Sequence, residues 1–343
     1  GKGAYPEDKP LCLGAVGRAG TGHANRAASE CDVLVAIGIH FSDIDTGGWT
    51  LFNIPSKTRL IHIDIDPSEI ARVYPTEVGI ISDAKLALMQ LIEELKSLDV
   101  KADRWASWRA ELTKWRGEWE QSVNSLRHSE QAPLSYARVC HEISSLLNES
   151  YPEASVFVDT GHLLSFAPPF YKVIKPTFQH CGFFHGMGWS LSAAFGARIA
   201  RPEHPAVALI GDGSFLFSCT TLATAYEYDV PIIAVVMDNR SLQIEGELMN
   251  KLYGRKAFSD YAKQSTKEPW GPDLVGMAEA LGAKGKKVKT PGELVPTMKE
   301  ALESKTSWVI DVDIDPEQPG YRSVWYPYPN DFWLPVEKIA KNF

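Results

Sequence analysis

Short apolar runs that end in glycine or a polar residue recur along this chain, with helical patterns between them. Strands buried on both faces of a parallel sheet have this near-continuous apolar character, and alternation with helices favours an open sheet covered on both sides. We therefore predict an α/β fold class with two doubly wound, mostly parallel sheet domains. The predicted strands are residues 33–38, 60–66, 156–159, 206–210, 230–237 and 308–312.

The chain length and the helical patterns indicate the domain organisation. A length of 343 residues corresponds to about two domains. We expect one domain over residues 1–100, a connecting helical linker over 101–133 and a second domain over 134–343, whose end from residue 315 is an irregular tail. The predicted helices are residues 84–95, 102–127, 189–200, 215–228, 273–281 and 291–303.

Four tryptophans fall near one stripe of the helical pattern over 102–127, at Trp105, Trp108, Trp115 and Trp119. Such a stripe either packs a connecting helix against its neighbours or offers an aromatic surface to a ligand. We expect packing, because aromatic side chains at helical spacing most often bury themselves.

The composition excludes several functional classes. The net charge is −8 and no basic block stands out, so we expect no nucleic-acid partner. No apolar run reaches the roughly 18 residues that a membrane span needs. The five cysteines are dispersed without a C-x-x-C pair, and the nine histidines form no recognised metal motif. This cysteine usage indicates thiols in a reducing compartment, so we predict a cytoplasmic location.

The strand over 206–210 leads into Gly211-Asp212-Gly213-Ser214, and a helical pattern follows. Glycines at such a turn let backbone N–H groups approach a phosphate, but an aspartate there repels phosphate unless a cation lies between them. Mg²⁺ is the natural cation, because it prefers oxygen ligands together with phosphate oxygens. Asn239 ends the next strand and supplies a second ligand, and the carbonyl of Ser241 can complete the set.

Two other classes of protein share parts of this pattern. A non-catalytic nucleotide-binding module has the same α/β layout but does not need Asp212 and Asn239 at their spacing. A metal-dependent phosphatase uses an aspartate at a strand end, but it also requires further carboxylates at the neighbouring strand ends. In this chain those ends carry Asp159-Thr160 and Asp238-Asn239.

The spacing from Gly211-Asp212-Gly213-Ser214 to Asn239 resembles the thiamine diphosphate motif of the acetolactate synthase-like enzymes. Three further segments are similar to that family over nearly the whole chain. They are GKGAYPED at 1–8, IDIDP at 63–67, and HGMG with SAAFGA at 185–188 and 192–197. The resemblance implies that the second domain binds thiamine diphosphate with Mg²⁺ and that the first is a partial nucleotide-binding middle domain.

The resemblance also implies a role for individual residues. Mg²⁺ would be held by Asp212, Asn239 and the carbonyl of Ser241. Met187 would be the apolar wedge that bends the cofactor, and the carbonyl of His185 would accept a hydrogen bond from its 4′-amino group. The full set of implied cofactor-binding residues is Asp159, Gly161, His162, His185, Gly186, Met187, Gly211, Asp212, Gly213, Ser214, Asn239, Ser241 and Gln243.

In the family, the acid that activates the cofactor comes from an N-terminal pyrimidine-binding domain of a neighbouring subunit. No glutamate of this chain can be assigned that role, so we expect no catalytic residue here. We therefore expect this chain to be the C-terminal portion of a larger enzyme, inactive by itself. Its partners would be a chain that carries the pyrimidine-binding domain and further copies of the parent enzyme, in a dimer or tetramer.

The first domain resembles the FAD-binding domain of the family at several short segments. The arginines of the family's R-F-D-D-R are replaced by His40 and Ile44, which leaves FAD, another adenine nucleotide or an empty site as alternatives. The residues that match the family's flavin contacts are Gly17, Arg18, Gly20, Gly38, His40, Asp64, Asp83 and Ala84.

Two departures from the family fall where the substrate would lie. Leu248 replaces a tryptophan that shapes the second-substrate pocket of acetolactate synthases, and Gln243 occupies a position that is usually glycine. The resemblance therefore implies an enzyme that cleaves or forms a C–C bond next to a carbonyl, with a 2-oxo acid or 1,2-diketone as substrate. A hydrolase that opens a cyclic 1,2-diketone is the alternative among its relatives.

Overall fold

A computed structural model describes residues 1–98, 100–101, 103–182, 184–256 and 258–321. The part of the predicted tail from residue 322 onward lies outside these described residues. Within them the chain forms two compact units, a small unit of Leu13–Ser122 and a large unit of Gly1–Cys12 with Val123–Tyr321. The domain boundaries proposed from the sequence stay a prediction. None of the described helices combines the length and apolarity that crossing a membrane requires.

The small unit is built on a three-stranded parallel sheet with the order β1-β2-β3. Its elements are α1 Gly22–Glu30, β1 Val33–Ile37, α2 Asp43–Thr46, β2 Arg59–Asp64, β3 Val78–Ile81, α3 Ala84–Ser97 and the start of α4, Ala106–Arg127. Three aromatic rings form the core beside the sheet, and Phe41 meets Phe52 and Tyr74 edge to face at 5.8 and 5.2 Å between ring centroids. The core therefore lies next to the segment that follows β1.

The tryptophans of the predicted stripe over 102–127 divide into a buried and an exposed group. Trp115 and Trp119 are 7% and 6% exposed, whereas Trp105 is 47% exposed. The guanidinium of Arg26 on α1 lies 4.2 Å from the centroid of the Trp115 ring, and His23 lies 4.9 Å from Trp119. The inner part of the stripe thus packs α4 against α1, as expected from the sequence.

The large unit is built on a six-stranded sheet in which every pair of neighbours is parallel, with the order β5-β4-β6-β7-β9-β8. A 3-10 helix at His162–Ser165 follows β4. The other elements are α5 Tyr136–Ser150, β4 Ser155–Val158, α6 Ala167–Phe170, β5 Phe178–His180, α7 Trp189–Ala200, β6 Ala206–Gly211, α8 Asp212–Ser218, α9 Thr221–Glu227, β7 Ile233–Asp238, α10 Gln243–Tyr253, α11 Leu274–Ala280, β8 Lys284–Val288, α12 Pro291–Glu303 and β9 Trp308–Asp313.

Both faces of the central strands are covered. Ala208 and Ile210 of β6 pack into a core with Leu191 and Phe215, and the alternating Val207 and Leu209 are also fully buried. Because successive side chains of a strand point to opposite faces, helices must cover both sides of this sheet. The predicted fold class is confirmed: both units are α/β with parallel sheets.

Two predicted elements differ from the structure. The helix expected over 215–228 is two helices, α8 and α9, because Leu222 and Ala223 donate to the carbonyls of Cys219 and Thr220 in tight three-residue turns. The strand expected to start at residue 230 starts at Ile233, since Pro231 has no N–H with which to pair.

Candidate functional site

The buried carboxylate of Asp212 lies at the carboxyl end of β6, where α8 begins. Its Oδ1 accepts a hydrogen bond from the N–H of Gly213 at 2.7 Å, and its Oδ2 accepts one from the N–H of Ser241 at 3.2 Å. The carboxylate therefore faces the turn that follows the neighbouring strand β7, as the order of the sheet requires.

Asn239 reaches the same point from the end of β7. Its Oδ1 accepts from the N–H of Ser241 at 3.0 Å, so one donor is shared between Asn239 Oδ1 and Asp212 Oδ2. Arg240 between them adopts a left-handed conformation with φ of 55°, which turns the chain back toward β6. The structure thus brings the three predicted metal-binding residues together around one N–H group.

The electrostatics of this point favour a cation. Burial and the nearby carboxylate of Asp238 raise the pKa of Asp212 to about 8. Asp238 itself pairs with Lys287, whose Nζ lies 3.2 Å from Asp238 Oδ2 and 2.9 Å from Asp311 Oδ2. A single lysine thus faces two carboxylates, and a divalent cation next to Asp212 would supply the missing positive charge.

The donor set is chemically suited to Mg²⁺. It consists of one carboxylate, one amide oxygen and one backbone carbonyl, all of them oxygen ligands. Across the described ranges, no group of three or more His, Cys, Asp and Glu side chains could hold a metal. The oxygen set around Asp212 fits a hard cation with phosphate oxygens.

Asp159 at the end of β4 is fully buried and serves the protein backbone. Its carboxylate accepts hydrogen bonds from the N–H groups of Thr160 and Gly188, both at 3.0 Å, and from Ser190 at 2.8 Å. These contacts hold the start of α7 against the strand. Gly161 follows with φ of 106° and no atom within 4 Å of the position that a Cβ would take, so its backbone faces open space.

The segment 185–188 lies beside this edge of the sheet. Met187 is 38% exposed, and its Cε would lie 3.3 Å from a Cβ at position 213. His185 adopts φ of 50°, and its Nδ1 lies 3.6 Å from the sulfur of Cys181. The structure therefore places the predicted wedge Met187 directly above Gly213, next to Gly186.

Gly211 and Ser214 complete the predicted set at β6. Gly211 has open space where a Cβ would be, so its backbone is accessible. Ser214 is buried, and its carbonyl accepts from the hydroxyl of Ser218 at 3.2 Å. Gly161 follows β4 and Gly211 ends β6, and these two strands are neighbours in the sheet. Their accessible backbone therefore lies at one edge of the sheet, where a phosphate can approach both loops.

Several residues of this site were not predicted from the sequence. The hydroxyl of Tyr261 would lie 3.0 Å from a Cβ at position 213. The hydroxyl of Tyr136 accepts from Asn239 Nδ2 at 2.9 Å. The backbone carbonyl of Gln318 lies 2.9 Å from His162 Nε2 and accepts from Gln243 Nε2 at 2.6 Å. No motif or spacing marks these three residues, since each reaches the site from a distant stretch of sequence.

The small unit gathers predicted nucleotide contacts at the carboxyl edge of its sheet. Gly38 follows β1, Asp64 ends β2, and Asp83 is the N-cap of α3 after β3, where its side chain accepts from Leu86 N–H at 3.1 Å. Ala84 is the first residue of that helix. Because the strand order is β1-β2-β3, these residues lie on three adjacent strand ends.

The loop with Gly17 and Gly20 is held by a buried asparagine. Asn25 accepts from the N–H of Gly17 at 2.8 Å and donates to its carbonyl at 2.9 Å. Gly17 has φ of 105°, and a Cβ at Gly20 would lie 2.7 Å from a backbone oxygen, so side chains are excluded at both positions. Arg18 between them donates its N–H to the carbonyl of Ile44 at 3.0 Å.

His40 belongs to a hydrogen-bonded group with Glu69 and Arg72. Its Nδ1 lies 2.9 Å from Glu69, and Arg72 donates to both the His40 carbonyl and Glu69. Hydrogen bonding to His40 lowers the pKa of Glu69. The Glu69 carboxylate at this edge is therefore paired with both His40 and Arg72.

The sequence of this chain matches the profiles of two known domain families. Residues 159–312 match the profile described as thiamine pyrophosphate enzyme, C-terminal TPP binding domain. Residues 1–91 match the profile described as thiamine pyrophosphate enzyme, central domain. The first match contains the residues grouped around Asp212, and the second contains the sheet edge with Gly38, Asp64 and Asp83.

Individual proteins are also similar to this chain. A probable acetolactate synthase large subunit of Methanocaldococcus jannaschii is 34% identical over 323 residues, which is 93% of this chain and 52% of that protein. The acetolactate synthase isozyme 3 large subunit of Escherichia coli is 30% identical over 92% of this chain and 53% of its own length. The acetolactate synthase large subunit of Cyanidium caldarium is 30% identical over 100% and 56%. The chain thus spans about half the length of the curated relatives it matches.

Proposed function

The chain belongs to the acetolactate synthase-like family of thiamine pyrophosphate enzymes, and we propose that it supplies the diphosphate-and-metal half of an active site that forms or cleaves a C–C bond next to a carbonyl. The observation that carries this proposal is the N–H of Ser241 shared between Asn239 Oδ1 and Asp212 Oδ2. It brings two oxygen ligands from neighbouring strand ends to one point, which a bridging Mg²⁺ requires.

Mg²⁺ is held by the side chains of Asp212 and Asn239 and by the carbonyl of Ser241. The shortage of positive charge around Asp212 and Asp238 supports this assignment, because it makes a cation favourable there. The diphosphate would be held by the accessible backbone after β4 and β6, with Gly161 and His162 in the first loop and Ser214 N–H as a donor in the second. The Gly213 N–H bonds to Asp212 Oδ1, so its assignment as a second donor requires that this bond be shared or exchanged.

Met187 and His185 orient the rest of the cofactor. The exposed Met187 above Gly213 supports its role as the apolar wedge, with Gly186 giving the backbone room beside it. The carbonyl of His185 accepts from the 4′-amino group. When bound, thiamine diphosphate supplies a carbon nucleophile and an electron sink for reactions next to a carbonyl. This chain would hold the bound cofactor in a fixed geometry and supply the charges around it.

The remaining half of the active site comes from another polypeptide segment. We infer that a chain with a pyrimidine-binding domain supplies the activating acid, within a homo-oligomer of the parent enzyme. The relatives above bear the name large subunit, which supports an assembly of several chains. None of the five cysteines, all within the described ranges, forms a disulfide, which supports a reducing compartment such as the cytoplasm.

The substrate differs from that of the branched-chain amino-acid enzymes. Leu248 stands on α10 where the family has a tryptophan, and the buried Gln243 fills a position that is usually glycine. Gln243 lies next to the metal site, where its Oε1 accepts from Asn239 Nδ2, and Leu248 lies on the same helix. A 2-oxo acid or a 1,2-diketone is the proposed substrate class, and opening of a cyclic 1,2-diketone is the second candidate reaction.

The small unit binds an adenine nucleotide, with FAD as the first candidate. The glycine loop held by Asn25 and the adjacent strand ends with Gly38, Asp64 and Asp83 support it. The test is the absorbance spectrum of the purified protein, where flavin gives bands near 375 and 450 nm. Release of an adenine nucleotide without flavin bands on denaturation would assign another nucleotide.

The metal assignment is tested by cofactor binding to the purified chain. Tryptophan fluorescence is followed while thiamine diphosphate is added with and without Mg²⁺. We expect Mg²⁺-dependent binding in the wild type, its loss in Asp212→Ala, and no change in Glu203→Gln, which alters an exposed carboxylate of the same unit. Undiminished binding by Asp212→Ala contradicts the assignment, and turnover of a 2-oxo acid by the isolated chain contradicts the need for a second chain.

A further inference from the structure

We propose that Gln243 is a positioning residue, which sets the amide of Asn239 for the cation and couples this ligand to residues 315–321, named here the C-terminal strap. This inference rests on the proposed function, because the cation is the Mg²⁺ of that site.

The direction of the Asn239 amide is fixed from one end by a backbone group. The N–H of Ser241 can only donate, so the atom of Asn239 that faces it at 3.0 Å must be the oxygen Oδ1. The Nδ2 group then points the other way, where its two hydrogens go to the hydroxyl of Tyr136 at 2.9 Å and to Gln243 Oε1. Both donors of the amide are therefore satisfied, and Oδ1 keeps a lone pair for the cation.

The direction of the Gln243 amide is fixed independently from the opposite end. The backbone carbonyl of Gln318 can only accept, so the atom of Gln243 that faces it at 2.6 Å must be Nε2. This leaves Oε1 toward Asn239, in agreement with the direction set by Ser241. Rotating either amide by half a turn would place two donors or two acceptors against each other, so the chain of bonds has a single arrangement.

The C-terminal strap makes several hydrogen bonds to residues around the chain of bonds from Ser241 to Gln318. The carbonyl of Gln318 also lies 2.9 Å from His162 Nε2, and its side-chain Oε1 accepts from the N–H of Tyr136 at 2.9 Å. One turn further along α10, Glu247 accepts from the N–H of Gly320 at 2.9 Å. The strap therefore contacts the β4 loop, α5 and α10, and two of its partners, Gln243 and Tyr136, bond directly to Asn239. Gln243 joins the strap to Asn239 through a single side-chain amide, whereas Tyr136 contacts the strap with its backbone N–H and Asn239 with its hydroxyl.

Two consequences follow for binding. Without the acceptor of Gln243, one hydrogen of Asn239 Nδ2 is left unpaired in a buried site, and the amide is no longer held with Oδ1 toward the cation. Partners that orient a metal ligand in this way typically contribute 10- to 100-fold in metal affinity. In the other direction, an ordered Asn239 restrains Gln243 and hence the strap, so metal binding should slow the opening of residues 315–321.

The test compares wild-type chain with Gln243→Leu and Gln243→Glu, using Mg²⁺ and thiamine diphosphate as the probes. The Mg²⁺ concentration for half-maximal cofactor binding is measured by fluorescence, and amide hydrogen exchange of a peptide over 315–321 is measured by mass spectrometry. We expect Gln243→Leu to raise the half-maximal Mg²⁺ concentration about tenfold and to abolish the protection of the strap on cofactor binding. Gln243→Glu keeps an acceptor for Asn239 but sets a carboxylate oxygen against the Gln318 carbonyl, so cofactor binding should no longer protect the strap from exchange.

Gln264→Leu is the matched control, because Gln264 is exposed and its Oε1 accepts from the nearby Lys267 Nζ, away from Asn239 and the strap. It should leave both readings unchanged. If Gln243→Leu binds Mg²⁺ within twofold of wild type, or lowers the unfolding midpoint without changing the Mg²⁺ dependence, Gln243 has only a structural role and the inference is overturned. Absence of Mg²⁺-dependent cofactor binding in the wild type overturns the proposed function itself, and the inference with it.

Discussion

The carboxylate of Asp159 accepts a hydrogen bond of 2.8 Å from the backbone N–H of Ser190 and so joins the end of β4 to the first turn of α7. The same carboxylate accepts from Gly188 N–H at 3.0 Å, while Gly188 is the N-cap of that helix. Asp159 thus replaces the side-chain cap that a glycine cannot provide, and it fixes the loop that carries Met187.

Replacing Asp159 by alanine should destabilise the large unit and weaken cofactor binding together. Three backbone N–H groups lose a charged acceptor, and two of them are at the start of α7, so we expect a loss of about 3 kcal/mol in the free energy of unfolding. Because the segment 185–188 is no longer held, binding of thiamine diphosphate should weaken as well. Urea unfolding and cofactor titration measure the two effects.

Asp273→Ala is the control for this prediction. Asp273 is the N-cap of α11 and accepts from Gly276 N–H at 3.0 Å, but it does not contact the 185–188 segment. We expect a loss of about 1 kcal/mol and unchanged cofactor binding. Equal cofactor affinities for the two variants would show that Asp159 acts only as a cap.

Gly188 itself should not tolerate a side chain. Its φ of 86° is rarely adopted by other residues, and a Cβ there would lie 2.9 Å from the Cβ of Ser218. We expect Gly188→Ala to lower the free energy of unfolding by roughly 1–3 kcal/mol, measured by urea unfolding.

The comparison variant is Gly196→Ala in the same helix. Gly196 lies in the interior of α7 with no atom within 4 Å of a Cβ. Alanine is favoured over glycine in a helix interior by about 1 kcal/mol, so this variant should be more stable than wild type. A loss of stability in both variants would mean that α7 tolerates no change, whatever the local backbone.

Apolar patterning predicted the strands whose residues are buried on both faces, such as β6 and β7. It gave no signal for β8, where only Val288 of Lys284–Val288 is buried, because an edge strand needs no continuous apolar run. Helix α10 also went unpredicted; Gln243–Tyr253 buries only Gln243 and Gly246.

The residues of the candidate site were likewise predicted only where a local pattern brings them together. Asp212 and Asn239 belong to one strand-helix-strand unit, so their spacing predicted their meeting at the sheet edge. Tyr136 and Gln318 approach Asn239 from stretches that are about a hundred residues before it and eighty after it. Their contacts depend on how α5 and the C-terminal strap pack, which a local pattern does not encode. The position of Gln243 was predicted to matter, but its partners were not.

The packing of the tryptophan stripe over 102–127 predicts unequal effects of two similar substitutions. Trp115 is buried under the Arg26 guanidinium and meets Trp108 edge to face at 5.5 Å. Trp115→Ala should lower the free energy of unfolding of the small unit by about 3 kcal/mol. Trp105→Ala, at a half-exposed position, should cost less than about 1 kcal/mol. Urea unfolding followed by circular dichroism gives both values, and equal losses would contradict a packing role confined to the inner part of the stripe.

Asp311 predicts a pH dependence of stability in the metal-free protein. Burial, with a further contribution from Asp238, raises the pKa of Asp311 to about 6, although the Lys287 ammonium opposes the shift. Between about pH 4 and pH 6 the folded protein therefore holds a proton that the unfolded chain has lost. The free energy of unfolding should fall as the pH rises through this window, by at most about 3 kcal/mol from this group.

Two variants separate this effect from the titration of other carboxylates. Asp311→Asn cannot titrate, so its unfolding free energy, measured by urea in the presence of a chelator, should fall less than that of wild type between pH 4 and 6. Lys287→Met removes the cation 2.9 Å from Asp311, which raises the pKa of Asp311 further and extends the fall in stability above pH 6. If Asp311→Asn follows the wild-type profile, the carboxyl is ionised throughout this range, and the single lysine between Asp238 and Asp311 is enough to balance both.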